Sequence, residues 1–166
     1  MGLKARTVRR MLRKRFSETS VKRTFVNLDS AQNVGIIWKE EDVDAFQKLK
    51  NLLESKGVRC TAICWSKRRK QEKATISDAD FSFRGIPVST TVKTFVDEPL
   101  DLLIDISQSS HPCLEAVRAL SQAGCKTGSS NANSVFLDLT IVSPPSFVTM
   151  ELVEQLVYYL TSIKTK

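Results

Sequence analysis

Small polar side chains that could bind an anion follow an apolar run near the middle of this 166-residue sequence. They begin at Asp105 and lead into an apolar, periodic stretch that predicts a helix. Free backbone N–H groups at a helix N-terminus and short hydroxyls together suit a phosphate or a carboxylate. The candidate ligand-binding residues of this segment are Asp105, Ser107, Ser109, Ser110 and His111. The plainer alternative is that these residues cap the helix.

A second small polar segment, residues 128–134, follows the next predicted strand. Its candidate residues are Gly128, Ser129, Ser130 and Asn131. In a doubly wound sheet this loop could lie beside the Asp105 loop and complete an anion cradle, although its composition is also ordinary for a turn. The sequence has no Walker motif, dinucleotide glycine fingerprint or nucleophile elbow. We therefore predict a binding protein rather than an enzyme, and we nominate no catalytic residue.

Four cysteines and one histidine are the candidate metal ligands. Cys60 and Cys64 lie four residues apart on a predicted strand, which separates them by roughly 13 Å. That distance exceeds the reach of one zinc ion or of a disulfide. His111 and Cys113 form a second pair, for which the local sequence supplies no further ligand. We predict reduced thiols in core or semi-buried positions, no metal site and no cofactor.

Positive charge is concentrated at the start of the chain. Residues 1–25 hold nine of the 25 Lys and Arg residues and one acid, for a net charge of +8, and the rest of the chain carries −1. Apolar residues recur there at the three- and four-residue spacing of one helical stripe: Val8, Met11, Leu12 and Phe16. Such a helix is marginal alone and needs a partner surface. We predict a basic amphipathic extension over residues 1–25 and one domain over 26–166.

The basic extension and a second basic segment, residues 66–74, indicate an acidic partner, because each cation can neutralise a phosphate. RNA or a ribonucleoprotein is the leading prediction, with an acidic protein beside it, although few aromatic residues are present for base stacking. Alternatives are attachment to an anionic membrane by the same helix, a mitochondrial transit peptide, and a solvated tail. The residues predicted to contact the polyanion are Arg6, Arg9, Arg10, Arg13, Lys14, Arg15, Lys67, Arg68, Arg69 and Lys70.

Apolar runs alternate with helical periodicities after the extension, which predicts a small doubly wound, mainly parallel three-layer α/β domain, Rossmann-like or flavodoxin-like. Strands are expected over residues 33–38, 58–65, 100–107, 125–128 and 135–142. Helices are expected over 41–56, 90–96, 111–123 and 146–163, with Gly124 as the C′ residue of the third. No run approaches the ~18 apolar residues of a membrane span. Since no segment has the pattern of a secretory leader, we expect a cytoplasmic protein.

Scattered positions in the domain form a recognisable pattern: Asn27, Ala31, Val34-Gly35-Ile36, Phe95, residues 101–107, Ser121, Ala123, Lys126, Gly128, Leu137-Asp138-Leu139 and Tyr159-Leu160. Together they resemble a family of small uncharacterised proteins from bacteria of the Bacteroides group, known as a domain of unknown function. The resemblance implies a bacterial cytoplasmic protein without an established activity or catalytic residue. A small-molecule or phosphate-binding α/β enzyme that uses the loops near Ser107 and Gly128 is the alternative function.

Overall fold

The computed structural model describes residues 3–18, 21–68, 74–132 and 134–164. Its strands are β1 (Asn33–Lys39), β2 (Arg59–Trp65), β3 (Thr75–Ile76), β4 (Leu102–Asp105), β5 (Cys125–Ser129) and β6 (Leu139–Ile141). They form one sheet in the order β3-β2-β1-β4-β5-β6, in which every pair is parallel. This order is that of the doubly wound fold, and it reverses between β1 and β4. The predicted fold class is confirmed.

Within the part of the chain that the structure describes, five α-helices cover this sheet. They are α1 (Leu3–Glu18), α2 (Val43–Ser55), α3 (Thr90–Asp97), α4 (Pro112–Leu120) and α5 (Thr149–Ser162). Short 3-10 turns lie at Glu40–Asp42, Asp78–Asp80 and Ser134–Phe136. Within the described residues, no helix is long and apolar enough to cross a membrane.

Both faces of the sheet are buried, as the near-continuous apolar strands predict. In β4, Leu103 joins the core under α1, α3 and α4, whereas Leu102 and Ile104 join the core under α2 and α5. Successive side chains of a strand point to opposite faces, so an unbroken apolar run suits a strand with helices on both sides. Residues that could contact a ligand are therefore sought in the loops at the ends of the strands.

The apolar stripe of α1 is part of the protein's own core. Leu12 is buried, and Val8 and Phe16 pack against the same cluster as α4. The ring of Phe16 lies edge-on to that of Phe136, with the ring centres 5.6 Å apart, and 4.9 Å from Nζ of Lys126 in β5. The surface that this marginal helix needs is thus supplied by the domain. Helix α1 packs over β5, whose connection to β6 has, among its described residues, one 3-10 turn and no α-helix.

Two of the local predictions were wrong. Residues 135–142 do not form one strand: Phe136 turns inward and is fully buried, and the strand begins at Leu139. Gly124 is not the C′ residue of α4, because the helix ends at Leu120 and Ser121 is its C-cap, with φ −56° and ψ 137°. The ammonium group of Lys126 donates to the carbonyl of Arg118 at 2.7 Å. A buried lysine thus satisfies a helix-end carbonyl near the position where a left-handed glycine was expected.

Candidate functional site

The two predicted anion-binding loops lie side by side at the carboxyl ends of β4 and β5. The side-chain amide of Asn131 donates to Oε1 of Gln108 at 3.1 Å and to the carbonyl of Pro144 at 3.0 Å. Gln108 in turn donates to the carbonyl of Phe147 at 2.9 Å. The structure therefore brings the loops together, but these amide groups bond to each other and to the segment before α5.

Asp105 lies beneath these loops. Its side chain is fully buried, and it accepts hydrogen bonds from the guanidinium of Arg118 and from the backbone N–H of Ser107 at 2.8 Å. Arg118 is equally buried and also donates to the carbonyl of Ser109 at 3.0 Å. Buried charges in proteins need such pairing. Asp105 and Arg118 thus attach the loop after β4 to α4, and a ligand at the surface would not reach the carboxylate.

The other candidates in the loop after β4 are placed around the start of α4. Ser109 Oγ accepts from the backbone N–H of His111 at 3.2 Å, and His111 Nδ1 accepts from that of Cys113 at 3.4 Å. Ser109 and His111 therefore cap the first turn of α4. Ser110 is exposed, and the Ser107 hydroxyl is buried without a hydrogen bond to any described residue.

The candidates after β5 are placed differently. Gly128 and Ser129 are buried in the strand, and Ser129 Oγ accepts from the backbone N–H of Asn131 at 3.0 Å. Ser130 is exposed and its hydroxyl accepts from the backbone N–H of Ser143 at 3.0 Å. A ligand at this edge of the sheet would therefore meet Ser110 and Ser130 rather than the buried members of the predicted set.

A different group of side chains converges beside His111. Asp78 Oδ1 lies 3.3 Å from Cys113 Sγ and 3.4 Å from His111 Nε2, and the three ligand atoms all lie within 4.8 Å of one another. Asp78 is exposed, His111 is half-buried and Cys113 is buried. Sequence reasoning identified the His111 and Cys113 pair and missed Asp78, since this residue lies 35 positions before Cys113. We call Asp78, His111 and Cys113 the Asp-His-Cys cluster.

Two elements hold the Asp-His-Cys cluster, the start of α4 and the 3-10 turn after β3. His111 and Cys113 flank the start of α4, and the Trp65 ring at the end of β2 lies 4.7 Å from the His111 ring, between centres. Asp78 opens the 3-10 turn after β3, where Ser77 and Asp80 bond reciprocally as a capping box. The signature Ser-x-x-Asp of that box is visible in the sequence, but it predicts a turn and not a neighbour for His111.

The thiol of Cys113 is not an activated nucleophile. Burial, the hydrogen bond to Asp78 and the negative charges of Asp78 and Asp80 raise its pKa to about 12. The sulfur therefore carries its proton at neutral pH, whereas reactive cysteines have lowered pKa values. A catalytic Cys–His pair is not what this geometry provides.

The Asp-His-Cys cluster opens onto a cavity with a volume of about 500 Å³. Val8, Arg9 and Leu12 of α1 form one wall, and another is formed by Phe81, Ser82, Phe83 and Gly85. Phe83 in that second wall is 82% exposed. The cavity therefore exists because α1 is docked on the domain.

The cations of α1 divide between two faces. Arg9 points to the body and bonds Glu115, and Lys14 lies 3.8 Å from Glu18. The exposed predicted contacts of this helix are Arg6, Arg10, Arg13, Lys14 and Arg15. In the second basic segment Lys67 and Arg68 are exposed, and Arg69 and Lys70 lie outside the described residues.

Among the comparisons with known proteins, a match to one protein family covers nearly the whole chain. A protein-family model described as a family of unknown function matches residues 4–163. The matched range takes in the basic helix as well as every strand. No curated protein and no solved structure gives a match. The resemblance to a family of unknown function is therefore confirmed, and its restriction to the Bacteroides group stays a prediction.

Proposed function

Since the chain belongs to DUF6913, a family of unknown function, we propose from its geometry that it binds RNA through the exposed basic face of α1. The observation that carries the proposal is the docking of α1 on α4. Leu12 faces the core, and Arg6, Arg10 and Arg13 face solvent. The domain thus presents its basic helix already formed, so that binding does not have to order it.

The three arginines lie at helical spacings of four and three residues. At a rise of about 1.5 Å per residue, the row from Arg6 to Arg13 is about 10 Å long. Neighbouring phosphates of one nucleic-acid strand are closer together than this length, so the row can contact more than one of them. Arginine also suits phosphate because its planar group donates two parallel hydrogen bonds.

An exposed aromatic side chain beside α1 supports RNA as the polyanion. Phe83 is 82% exposed, and it lines the same cavity as Val8 and Arg9 of α1. The guanidinium of Arg84 lies 5.1 Å from the centre of the Phe83 ring. Bases of single strands stack on such rings. The sequence has few aromatic residues near its basic segment, but the fold supplies one from residues 81–85.

The buried apolar stripe argues against the membrane alternative. An interfacial helix must insert its apolar face among lipid chains. Here Leu12 is 1% exposed, and Val8 and Phe16 pack on the domain. Lipid binding would require α1 to leave the core, whereas phosphate binding uses the face that is already in solvent. We extend the proposal to a cytoplasmic location, where an RNA or a ribonucleoprotein is available as a partner.

The test compares two triple variants with the same change in charge. Arg6→Gln, Arg10→Gln and Arg13→Gln remove the row on α1, and Lys48→Gln, Lys50→Gln and Lys56→Gln remove three cations around α2. Binding of a fluorescent single-stranded RNA is measured by anisotropy across salt concentrations. Point variants are preferable to removal of α1, since that deletion would uncover the core around Leu12.

The α1 variant is expected to bind the RNA at least tenfold more weakly. The slope of log K against log salt concentration should also become shallower by about 2, since each of the three lost phosphate contacts contributes ~0.7 on a single strand. The α2 variant is expected to bind like the unaltered protein. Equal binding by the two variants would refute the proposal, as would the absence of salt-dependent binding by the unaltered protein.

A further inference from the structure

We propose that the Asp-His-Cys cluster binds a divalent metal ion, zinc in preference, through Asp78, His111 and Cys113, with a fourth coordination position open to the cavity beside α1. The inference does not depend on RNA binding, because none of its three residues belongs to the basic face of α1. It replaces the sequence-based prediction of no metal site with a specific ligand set.

The distances within the cluster are those of a tetrahedral site. With Zn–S of about 2.3 Å and Zn–N and Zn–O of about 2.0–2.1 Å, neighbouring ligand atoms lie about 3.3–3.6 Å apart. Asp78 Oδ1 lies 3.3 Å from Cys113 Sγ and 3.4 Å from His111 Nε2. The remaining edge, between sulfur and imidazole, is at most 4.8 Å. One ion can therefore contact all three atoms after a shift of about 1 Å along that edge.

The ligand types select the metal. Binding of the ion breaks the S–H bond of Cys113 and releases its proton to solvent, because a thiol that coordinates a metal is deprotonated. The resulting thiolate and the imidazole favour zinc, cobalt and similar ions, whereas magnesium and calcium prefer oxygen ligands throughout. Three protein ligands and one open position are typical of zinc sites that exchange water or bind a substrate, since structural zinc is usually held by four protein ligands. The open position here would take water or an anionic oxygen of a small ligand.

Metal binding has a defined consequence at His111. Coordination through Nε2 keeps the imidazole proton on Nδ1, which now accepts from the backbone N–H of Cys113 at 3.4 Å. That bond is longer than the usual range of about 2.7–3.2 Å, so it is a weak bond to give up. The contact of the imidazole with the Trp65 ring, 4.7 Å between centres, does not depend on which nitrogen carries the proton.

A purely hydrogen-bonded cluster would have the same two short distances, from Asp78 to Cys113 and to His111. The experiment must therefore detect the metal–sulfur bond itself. The untagged, full-length protein is titrated with Co²⁺ under reducing conditions, and absorption is recorded. A thiolate-to-cobalt charge-transfer band that saturates at one equivalent is expected, together with intense visible bands from tetrahedral coordination. Zn²⁺ should displace cobalt and abolish both sets of bands.

Matched variants locate the site. Cys113→Ser is expected to lose the charge-transfer band, and Cys60→Ser, which changes a half-buried thiol on β2, should retain it. Asp78→Asn should weaken Zn²⁺ binding at least tenfold in competition with a chromophoric chelator, whereas Asp97→Asn at the end of α3 should not. Circular dichroism checks that each variant is folded.

The unaltered protein alone can overturn the proposal. Absence of a thiolate–cobalt band at stoichiometric Co²⁺ would do so without reference to any variant. A band that persists in Cys113→Ser would do so as well, since the metal would then be bound elsewhere.

Discussion

The guanidinium of Arg9 in α1 bonds the carboxylate of Glu115 in α4 at two points, 2.9 Å from Nε and 2.7 Å from Nη2. The Glu115 side chain is 1% exposed and that of Arg9 is 28% exposed. A two-point bond of this kind specifies orientation as well as distance. It therefore sets the rotation of α1 on the domain, with Leu12 turned inward and Arg10 and Arg13 turned outward.

Arg9→Ala is expected to lower the free energy of unfolding by about 1–3 kcal/mol, because the Glu115 carboxylate stays buried without its guanidinium. Arg10→Ala, an exposed neighbour on the same helix, should change it by less than about 0.5 kcal/mol. Urea unfolding measures both, and limited trypsin digestion should cut α1 faster in Arg9→Ala. Equal stability of the two variants would show that the ion pair does not hold the helix.

The buried pair of Asp105 and Arg118 should contribute more to the free energy of unfolding than the pair of Arg9 and Glu115. Arg118→Ala is expected to cost about 3–5 kcal/mol, because it leaves a carboxylate in the core without its charged partner. Arg59→Ala removes an exposed pair with Glu98 and should cost under about 1 kcal/mol. The comparison uses urea unfolding, and similar losses in the two variants would contradict the argument from burial.

Stability should rise with pH through Lys126. Burial lowers the pKa of this amine to about 7, with Arg23 acting in the same direction and Asp138 opposing it. An unfolded lysine has a pKa of about 10.4, so between about pH 7 and pH 10 the unfolded chain binds more protons than the folded one. The free energy of unfolding contributed by this group is lowest below pH 7 and increases across that window.

Lys126→Met should remove this increase, and Lys93→Met, an exposed change on α3, should retain it. Urea unfolding at pH 7, 8 and 9 measures the difference from the unaltered protein. The pKa of the Cys113 thiol is raised to about 12, so its own contribution falls above about pH 9, and the range stops there. Parallel profiles for Lys126→Met and the unaltered protein would contradict the prediction.

Gly128 lies where β5 meets β4 too closely for a side chain. A Cβ there would lie 2.9 Å from the carbonyl oxygen of Asp105, whereas at Gly124 the nearest atom would be 3.4 Å away. Strand backbone cannot yield as a side-chain end can, so Gly128→Ala is expected to cost about 1–3 kcal/mol. Gly124→Ala should stay within about 0.5 kcal/mol. Thermal unfolding followed by circular dichroism compares them, and equal midpoints would refute the close-contact argument.

Local pattern predicted most of the elements. The apolar run at residues 33–38 is β1, and the periodicity over 146–163 contains α5. The prediction failed at Phe136, where an apolar residue in a strand-like run leaves the sheet and packs under Phe16. Spacing shows that a residue will be buried, but a long-range contact decides which partner buries it.

Only part of the candidate site, His111 and Cys113, could be predicted from the sequence. His111 and Cys113 are two residues apart and were recognised as possible ligands, but Asp78 was not connected with them. Asp78 follows β3, which is the edge strand of the sheet beside β2. The fold brings this turn next to the start of α4, where His111 and Cys113 lie. Strand order depends on the whole fold, so no local signal could have joined these residues.

By itself, the sequence determined a parallel α/β domain with a basic amphipathic helix, because period and charge depend on near neighbours. Only the tertiary structure decided the partner of each polar group. In the folded protein Arg9 pairs with Glu115, Asp105 is buried with Arg118, and Asp78 contacts Cys113. The physical reason is that a buried charged or polar group is unstable without a hydrogen-bond or ion-pair partner. The order of the strands determines which groups lie close enough to be that partner.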